Sequence, residues 1–142
     1  MNVFLDTSSL FKLYHREKGT DQLMRLFTES RIEKVFLSEI TKVEFCSTVW
    51  KKCRTSEIET NIASVLISKF EQDSVRFSFV PEGASLRLKA VELLEKHWKS
   101  GLRTLDSLQL ASALKVRGQI AYFVTSDKVL SEIALSNGFD IR

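Results

Sequence analysis

The segment FLDTSS, residues 4–9, joins an apolar run at the start of the chain to a group of polar residues. Val3, Phe4 and Leu5 are typical of a short buried strand, and Asp6 follows them directly. Asp is a favoured helix N-cap because its carboxylate accepts hydrogen bonds from free backbone N–H groups. Asp6 could therefore cap a helix that begins in this segment, or it could be a functional carboxylate at the end of the strand.

Strand-like and helix-like segments alternate from this point along the whole chain. The predicted strands are 2–5, 34–37, 75–80, 120–124 and a weaker one at 139–141. The predicted helices are about 8–15, 20–29, 39–54, 57–71, 82–99, 104–117 and 128–136. This order predicts a three-layer α/β/α protein with a central parallel sheet of about five strands. Residues 1–142 contain no linker or repeat, so a single domain is expected.

Helix starts are indicated by local patterns. The capping-box pattern Ser/Thr-x-x-Glu occurs twice, at Thr41 with Glu44 and at Ser56 with Glu59. Pro81 is expected at a helix start, where its missing N–H costs nothing.

Composition indicates a soluble globular protein, with 44% hydrophobic and 27% charged residues. No apolar run approaches the roughly 20 residues needed to cross a bilayer. Asp6 interrupts any signal-like pattern at the N-terminus, so a cytoplasmic protein is expected. Cys46 and Cys53 would lie about 10 Å apart along one helix, which is too far for a disulfide.

The formal net charge of +3 permits contact with nucleic acid without requiring it. Basic residues cluster in WKKCR, residues 50–54, and in a second group that comprises Arg87, Lys89, Lys96, His97, Lys99 and Arg103. Either group could contact phosphate, or could simply be the solvated face of a helix.

Four acidic residues from distant segments are expected to meet at one edge of the sheet. Asp6 ends the first strand, Glu44 lies near the start of the next long helix, Asp106 opens another, and Asp127 follows the fourth strand. In a parallel α/β fold every helix begins above the carboxyl edge of the sheet, where ligands usually bind. Acids at helix starts also stabilise the helix dipole, so Glu44 and Asp127 could instead have capping roles.

Close approach of these carboxylates would require compensation. Two unit charges about 4 Å apart repel by about 4 kcal/mol at an effective dielectric of 20. Protonation or a bound cation would relieve that repulsion, and a set of oxygen ligands without His or Cys selects Mg²⁺ or Mn²⁺. Such a centre is suited to hydrolysis of a phosphodiester bond.

Four segments together resemble PIN domains, and in particular the VapC-type toxin ribonucleases of prokaryotic toxin–antitoxin pairs. The segments are LDTSSLFKLY (5–14), LSEITKVEF (37–45), LRTLDSLQLASAL (102–114) and FVTSDKVLSEIALSNGFDI (123–141). The resemblance extends in order over essentially the whole chain.

The resemblance implies roles for individual residues and for partners. It implies that Asp6, Glu44, Asp106 and Asp127 are the catalytic acids and bind Mg²⁺ or Mn²⁺. It places Thr7 or Ser8 in support of the first acid, and Thr125 beside the last. It further implies an RNA substrate, a homodimer and a small antitoxin protein that blocks the site.

Three alternatives remain open at this point. A PIN nuclease could process RNA without an antitoxin, and an inactive PIN fold could serve only to bind protein. A flavodoxin-like signalling domain would need an adjacent acidic pair after the first strand, which this sequence lacks. His15 and His97 have no partners at metal-ligand spacing and are expected at solvent-facing positions.

Overall fold

The computed structural model describes all 142 residues and contains one parallel β-sheet between two layers of helices. The strands are β1 (Asn2–Leu5), β2 (Lys34–Ser38), β3 (Ser78–Val80) and β4 (Tyr122–Val124), in the spatial order β3-β2-β1-β4. The helices are α1 (Thr7–Phe11), α2 (Thr20–Glu29), α3 (Thr41–Arg54), α4 (Thr60–Asp73), α5 (Ala84–His97), α6 (Thr104–Lys115) and α7 (Lys128–Ser136). The predicted three-layer α/β/α class is confirmed.

Alternating side chains along the strands build a separate hydrophobic core on each face of the sheet. Val3 and Leu5 of β1 pack with the side chains of α1 to α4 on one face. Phe4 of the same strand packs on the other face with α5, α6 and α7. Because both faces are covered, β1 is almost wholly apolar, as is typical of a central parallel strand.

All four strands run in the same direction, so their C-terminal ends lie along one edge of the sheet. Helices α1, α3 and α7 begin within a few residues of that edge, after β1, β2 and β4 respectively. This arrangement brings residues that are far apart in sequence to a common rim.

The sheet has four strands rather than the predicted five or so. The segment predicted as a strand at 139–141 contributes a single bridge, between Ile141 and Phe123. Backbone hydrogen bonds link Phe123 to Asp140 and to Arg142 on either side of that bridge. The segment therefore runs along β4 for one residue pair only, which is too little for a strand.

Several predicted helix ends are wrong. The helix predicted at 8–15 ends at Phe11, and the residues that follow it form hydrogen-bonded turns. Neither capping box forms, because the Thr41 hydroxyl is engaged in the protein interior and Ser56 has a left-handed φ of 63° in the turn before α4. Pro81 lies in the loop before α5, whose N-cap is Gly83.

Two other expectations concern the chain as a whole. Cys46 and Cys53 are both free thiols, as predicted. None of the helices combines the length and the apolar character needed to span a membrane.

Candidate active site

Asp6 is the first residue after β1 and is 5% exposed. Its Oδ1 atom accepts hydrogen bonds from the backbone N–H of Ser9 at 2.9 Å and from the Ser8 hydroxyl at 3.2 Å. Its Oδ2 atom accepts a hydrogen bond from the Thr125 hydroxyl at 2.5 Å. Asp6 is thus the N-cap of α1, and its second oxygen is held separately from the end of the neighbouring strand β4. Burial raises the pKa of the Asp6 carboxyl, and these hydrogen bonds oppose that rise.

Glu44 lies in the first turn of α3 and points into the same region. Its Oε1 atom accepts hydrogen bonds from Gln109 Nε2 at 2.8 Å and from the Thr7 hydroxyl at 3.1 Å. Its Oε2 atom receives no hydrogen bond from the protein. Burial raises the pKa of the Glu44 carboxyl, the two hydrogen bonds lower it, and the charge of Asp6 raises it further.

Asp106 lies in the first turn of α6, is half-buried, and has no hydrogen-bond or ion-pair partner within the chain. Its pKa is raised from 3.8 to about 6, chiefly by burial. The charges of Asp127, Asp6 and Glu44 add to the rise, and the Arg103 guanidinium opposes it. Asp106 therefore lies within electrostatic range of all three other acids.

Asp127 follows β4 and is exposed at the start of α7. Its Oδ1 atom accepts a hydrogen bond from the backbone N–H of Leu130 at 2.7 Å, so Asp127 is the N-cap of that helix. Its own backbone N–H donates to the Thr125 hydroxyl at 3.1 Å. Thr125 thus connects the first acid to the last.

A buried polar group behind the acids joins α1, α3 and α6. The Gln109 amide nitrogen lies 3.0 Å from Thr7 Oγ1 and 3.1 Å from Thr41 Oγ1, in addition to its bond with Glu44. Gln109 is 2% exposed and Thr41 is fully buried. Thr41 was predicted to cap α3 instead, and Gln109 was not predicted as part of the site. Gln109 lies three positions after Asp106 on the same side of α6, and this spacing is the only sequence signal that could have indicated it.

The expected supporting residues are therefore distributed among the acids. Ser8 and Thr125 donate hydrogen bonds to Asp6, whereas Thr7 donates to Glu44. His15 and His97, which were expected at solvent-facing positions, are both half-buried.

The acids interact with one another, but the structure does not gather them at metal-ligand spacing. No three His, Cys, Asp or Glu side chains already stand at the spacing of a metal centre, so the four acids would have to move closer together around an ion. None of the ion pairs of the structure involves Asp6, Glu44, Asp106 or Asp127, so no lysine or arginine neutralises them directly. The result is a rim of carboxylates with unbalanced negative charge.

Comparison with known proteins identifies the family. The model of the PIN domain matches residues 3–135. No curated protein matches the chain in sequence.

Several solved structures share the fold. VapC20 of Mycobacterium tuberculosis, described as a sarcin–ricin loop cleaving toxin, superposes with a TM-score of 0.73 at 20% identity over 97% of this chain and 96% of that chain. FitAcB from Neisseria gonorrhoeae superposes with a TM-score of 0.66 at 17% identity over 98% and 95%. VapBC-1 from nontypeable Haemophilus influenzae superposes with a TM-score of 0.62 at 16% identity over 100% and 97%. At these identities the structural likeness concerns the fold, and the match of the family model over most of the sequence shows that this chain belongs to the PIN-domain family.

Proposed function

We propose that this protein is a metal-dependent endoribonuclease that hydrolyses RNA phosphodiester bonds, as the toxin of a VapBC-type pair. The observation that carries the proposal is the state of Asp106. This carboxyl has no partner in the protein, and its pKa is raised to about 6 by burial and by three further acids. Carboxylates that lie this near one another destabilise the fold unless a cation binds between them. Groups with such perturbed pKa values are therefore concentrated at functional sites.

Asp6, Glu44, Asp106 and Asp127 are the residues proposed to hold Mg²⁺, or alternatively Mn²⁺. The donor set fits these ions because it consists of carboxylate oxygens alone. Glu44 Oε2 and both oxygens of Asp106 accept no hydrogen bond from the protein, so they are available as ligands. When bound, such an ion would activate water and stabilise the charge that develops on the phosphate.

The remaining residues hold these carboxylates in place. Thr125 and the backbone N–H of Ser9 each fix one of the two oxygens of Asp6. Thr7 and Gln109 fix one oxygen of Glu44 and favour its charged form. Asp106 has no such partner, and burial together with the three other acids raises its pKa to about 6.

An antitoxin partner is supported by the folds that this chain resembles. VapBC-1 from Haemophilus influenzae and FitAcB from Neisseria gonorrhoeae are solved complexes that contain a chain of this fold. The VapC20 structure is described as a loop-cleaving toxin. We extend this relationship to the present protein as a cognate antitoxin. We also propose a homodimeric toxin in the cytoplasm, on the family resemblance of the sequence alone.

Cleavage of RNA by the purified protein tests the proposal. A mixture of structured RNAs is incubated with the protein in Mg²⁺, in Mn²⁺ and in EDTA, beside the variants Asp6→Asn and Asp140→Asn. Asp140 is exposed and lies outside the acidic rim, so Asp140→Asn is the matched control. We expect cutting in either metal, none in EDTA, none with Asp6→Asn, and full activity with Asp140→Asn. Cutting that persists in Asp6→Asn with the same metal dependence would contradict the assignment.

A further inference from the structure

A cavity of about 390 Å³ opens beside the acidic rim, between α1, the start of α2 and the end of β4. Its volume is within the range of pockets that bind small ligands. Three cationic residues line it, Lys12, Lys18 and Arg142, and no acidic residue does. No residue of the two basic groups noted in the sequence lines this cavity.

Lys12 is unusual because its charged side chain is 7% exposed. Its Nζ lies 3.2 Å from Glu17 Oε1 and 3.4 Å from the carbonyl oxygen of Ser8. Glu17 also lies 3.5 Å from Lys52 Nζ, so this one carboxylate is shared between two ammonium groups. Lys52 also lies 3.4 Å from Glu57 Oε2, so Lys12 is balanced within this group, and the net positive charge of the cavity comes from Lys18 and Arg142.

The other two cations have no acidic partner. Lys18 is exposed and forms no ion pair. The Arg142 guanidinium lies 4.2 Å from the centre of the Tyr122 ring and donates to the Tyr122 hydroxyl at 2.9 Å. These contacts orient the guanidinium without neutralising it.

Uncharged donors complete the wall. Ser9 lines the cavity, and its Oγ atom is buried without a hydrogen-bond partner, which is rare in folded proteins. Gly19, the N-cap of α2, has no side chain that could cap the helix or fill this part of the wall. A side chain at Gly19 would bring its Cβ to 2.9 Å from Lys12 Cε, so the backbone passes directly over the lysine.

The cavity and the acidic rim share residues. Thr125 lines the cavity and donates its hydroxyl hydrogen to Asp6 Oδ2. Ser9 lines the cavity and donates its backbone N–H to Asp6 Oδ1. A group in the cavity is therefore separated from Asp6 by one layer of side chains. A positive cavity next to a negative rim can hold one phosphate of a strand while its neighbour approaches the acids.

From this arrangement we infer that the cavity binds an RNA phosphate adjacent to the bond that is cut, through Lys12, Lys18 and Arg142. The inference rests on the proposed function, since it assigns the strand a position across the same rim. Phosphate contacts position a strand without reading its sequence, so the cavity sets register and affinity and leaves target choice to other residues.

Binding of a fluorescein-labelled single-stranded RNA tests the inference, measured by anisotropy in EDTA over a series of salt concentrations. The test variant is Lys18→Gln with Arg142→Gln, because both side chains are exposed and the fold does not depend on them. The matched control is Lys34→Gln with Lys115→Gln, which removes the same charge from exposed positions at the start of β2 and the end of α6. Lys12→Met is a third variant, checked for folding by circular dichroism.

We expect the Lys18 and Arg142 pair to weaken RNA binding about tenfold and to reduce the salt slope by about 1, with little effect from the control pair. Under cleavage conditions the same pair should raise KM and leave kcat nearly unchanged. An equal loss in both pairs, or no loss in either, would overturn the inference. Inorganic phosphate that displaces RNA from the wild type at a similar concentration would also overturn it, in favour of a site for a free anion.

The binding assay separates this inference from the proposed function. It is performed in EDTA and does not require cleavage. If RNA binding depends on Lys18 and Arg142 but no metal-dependent cutting occurs, only the proposed nuclease activity is contradicted. If cutting occurs and is unaffected by these substitutions, only the inference that the cavity binds an RNA phosphate is contradicted.

Discussion

Replacement of Asp106 by Asn should stabilise the folded protein at neutral pH while it removes the proposed activity. In the folded chain the pKa of Asp106 is about 6, against an ordinary value of 3.8. The folded state therefore binds this proton more tightly than the unfolded state does. Stability from this group is fully present below about pH 4 and is lost as the pH rises through about 6. An Asn side chain has no charge to develop and avoids that loss.

The size of the effect follows from the shift. A rise from 3.8 to about 6 corresponds to at most about 3 kcal/mol. Asp106 is only half-buried, so solvent screening reduces the expected gain to about 1–2 kcal/mol. For a chain of this size that is an increase in Tm of about 3–6 °C.

Differential scanning calorimetry in a metal-free buffer provides the assay. The wild type, Asp106→Asn and the exposed control Asp140→Asn are compared at pH 4 and at pH 7.5. The difference between Asp106→Asn and the wild type should be near zero at pH 4 and positive at pH 7.5, because loss of the Asp106 charge also relieves repulsion on the other rim acids. Asp140→Asn should follow the wild type at both pH values. An Asp106→Asn variant that is less stable than the wild type at pH 7.5 would refute the reasoning about repulsion at the rim.

Three further substitutions test the residues around the acids and the core. Gln109→Met conserves volume but removes the donor to Thr7, Thr41 and Glu44. The free energy of unfolding, measured by chemical denaturation, should therefore fall by about 1–3 kcal/mol. A higher free energy of unfolding would contradict the hydrogen-bond network. Thr125→Val removes the main hydrogen bond that lowers the pKa of Asp6. The acidic limb of the pH–activity profile should therefore move to higher pH. An unchanged acidic limb would contradict this role of Thr125. Phe45 is fully buried, and its ring stacks on that of Phe70 with 4.3 Å between the centroids. Phe45→Ala should therefore lower the free energy of unfolding by about 3–5 kcal/mol. A loss below about 1 kcal/mol would show that the core collapses into the vacated space.

The edge of the sheet could be predicted from sequence because its residues follow from topology. Asp6 and Asp127 each come just after a strand, and Glu44 and Asp106 each open a helix. In a parallel α/β fold those positions meet at one rim whatever the details of packing. The capping interpretation was also correct for Asp6 and Asp127, because one oxygen of each carboxylate caps a helix while the other is left for a different contact.

Features that depend on tertiary packing could not be predicted. Thr41 and Glu44 match a capping box, yet a buried glutamine from α6 draws the Thr41 hydroxyl and the Glu44 carboxylate inward. Gln109 lies among apolar residues and resembles an ordinary helix position until α3 and α6 are packed together. The cavity is assembled from α1, the start of α2 and the C-terminal residues, so no local pattern of charge indicated it.

Titration with Mn²⁺ tests the central claim most directly, because it requires no knowledge of the RNA target. Binding is measured by isothermal titration calorimetry at pH 7.5 for the wild type, Asp6→Asn, Asp106→Asn and the control Asp140→Asn. We expect saturable binding at millimolar or lower Mn²⁺ in the wild type and the control, with strong weakening in both rim variants. Wild-type protein that ignores millimolar Mn²⁺, or rim variants that bind it as well as the control does, would contradict a metal centre formed by the four acids.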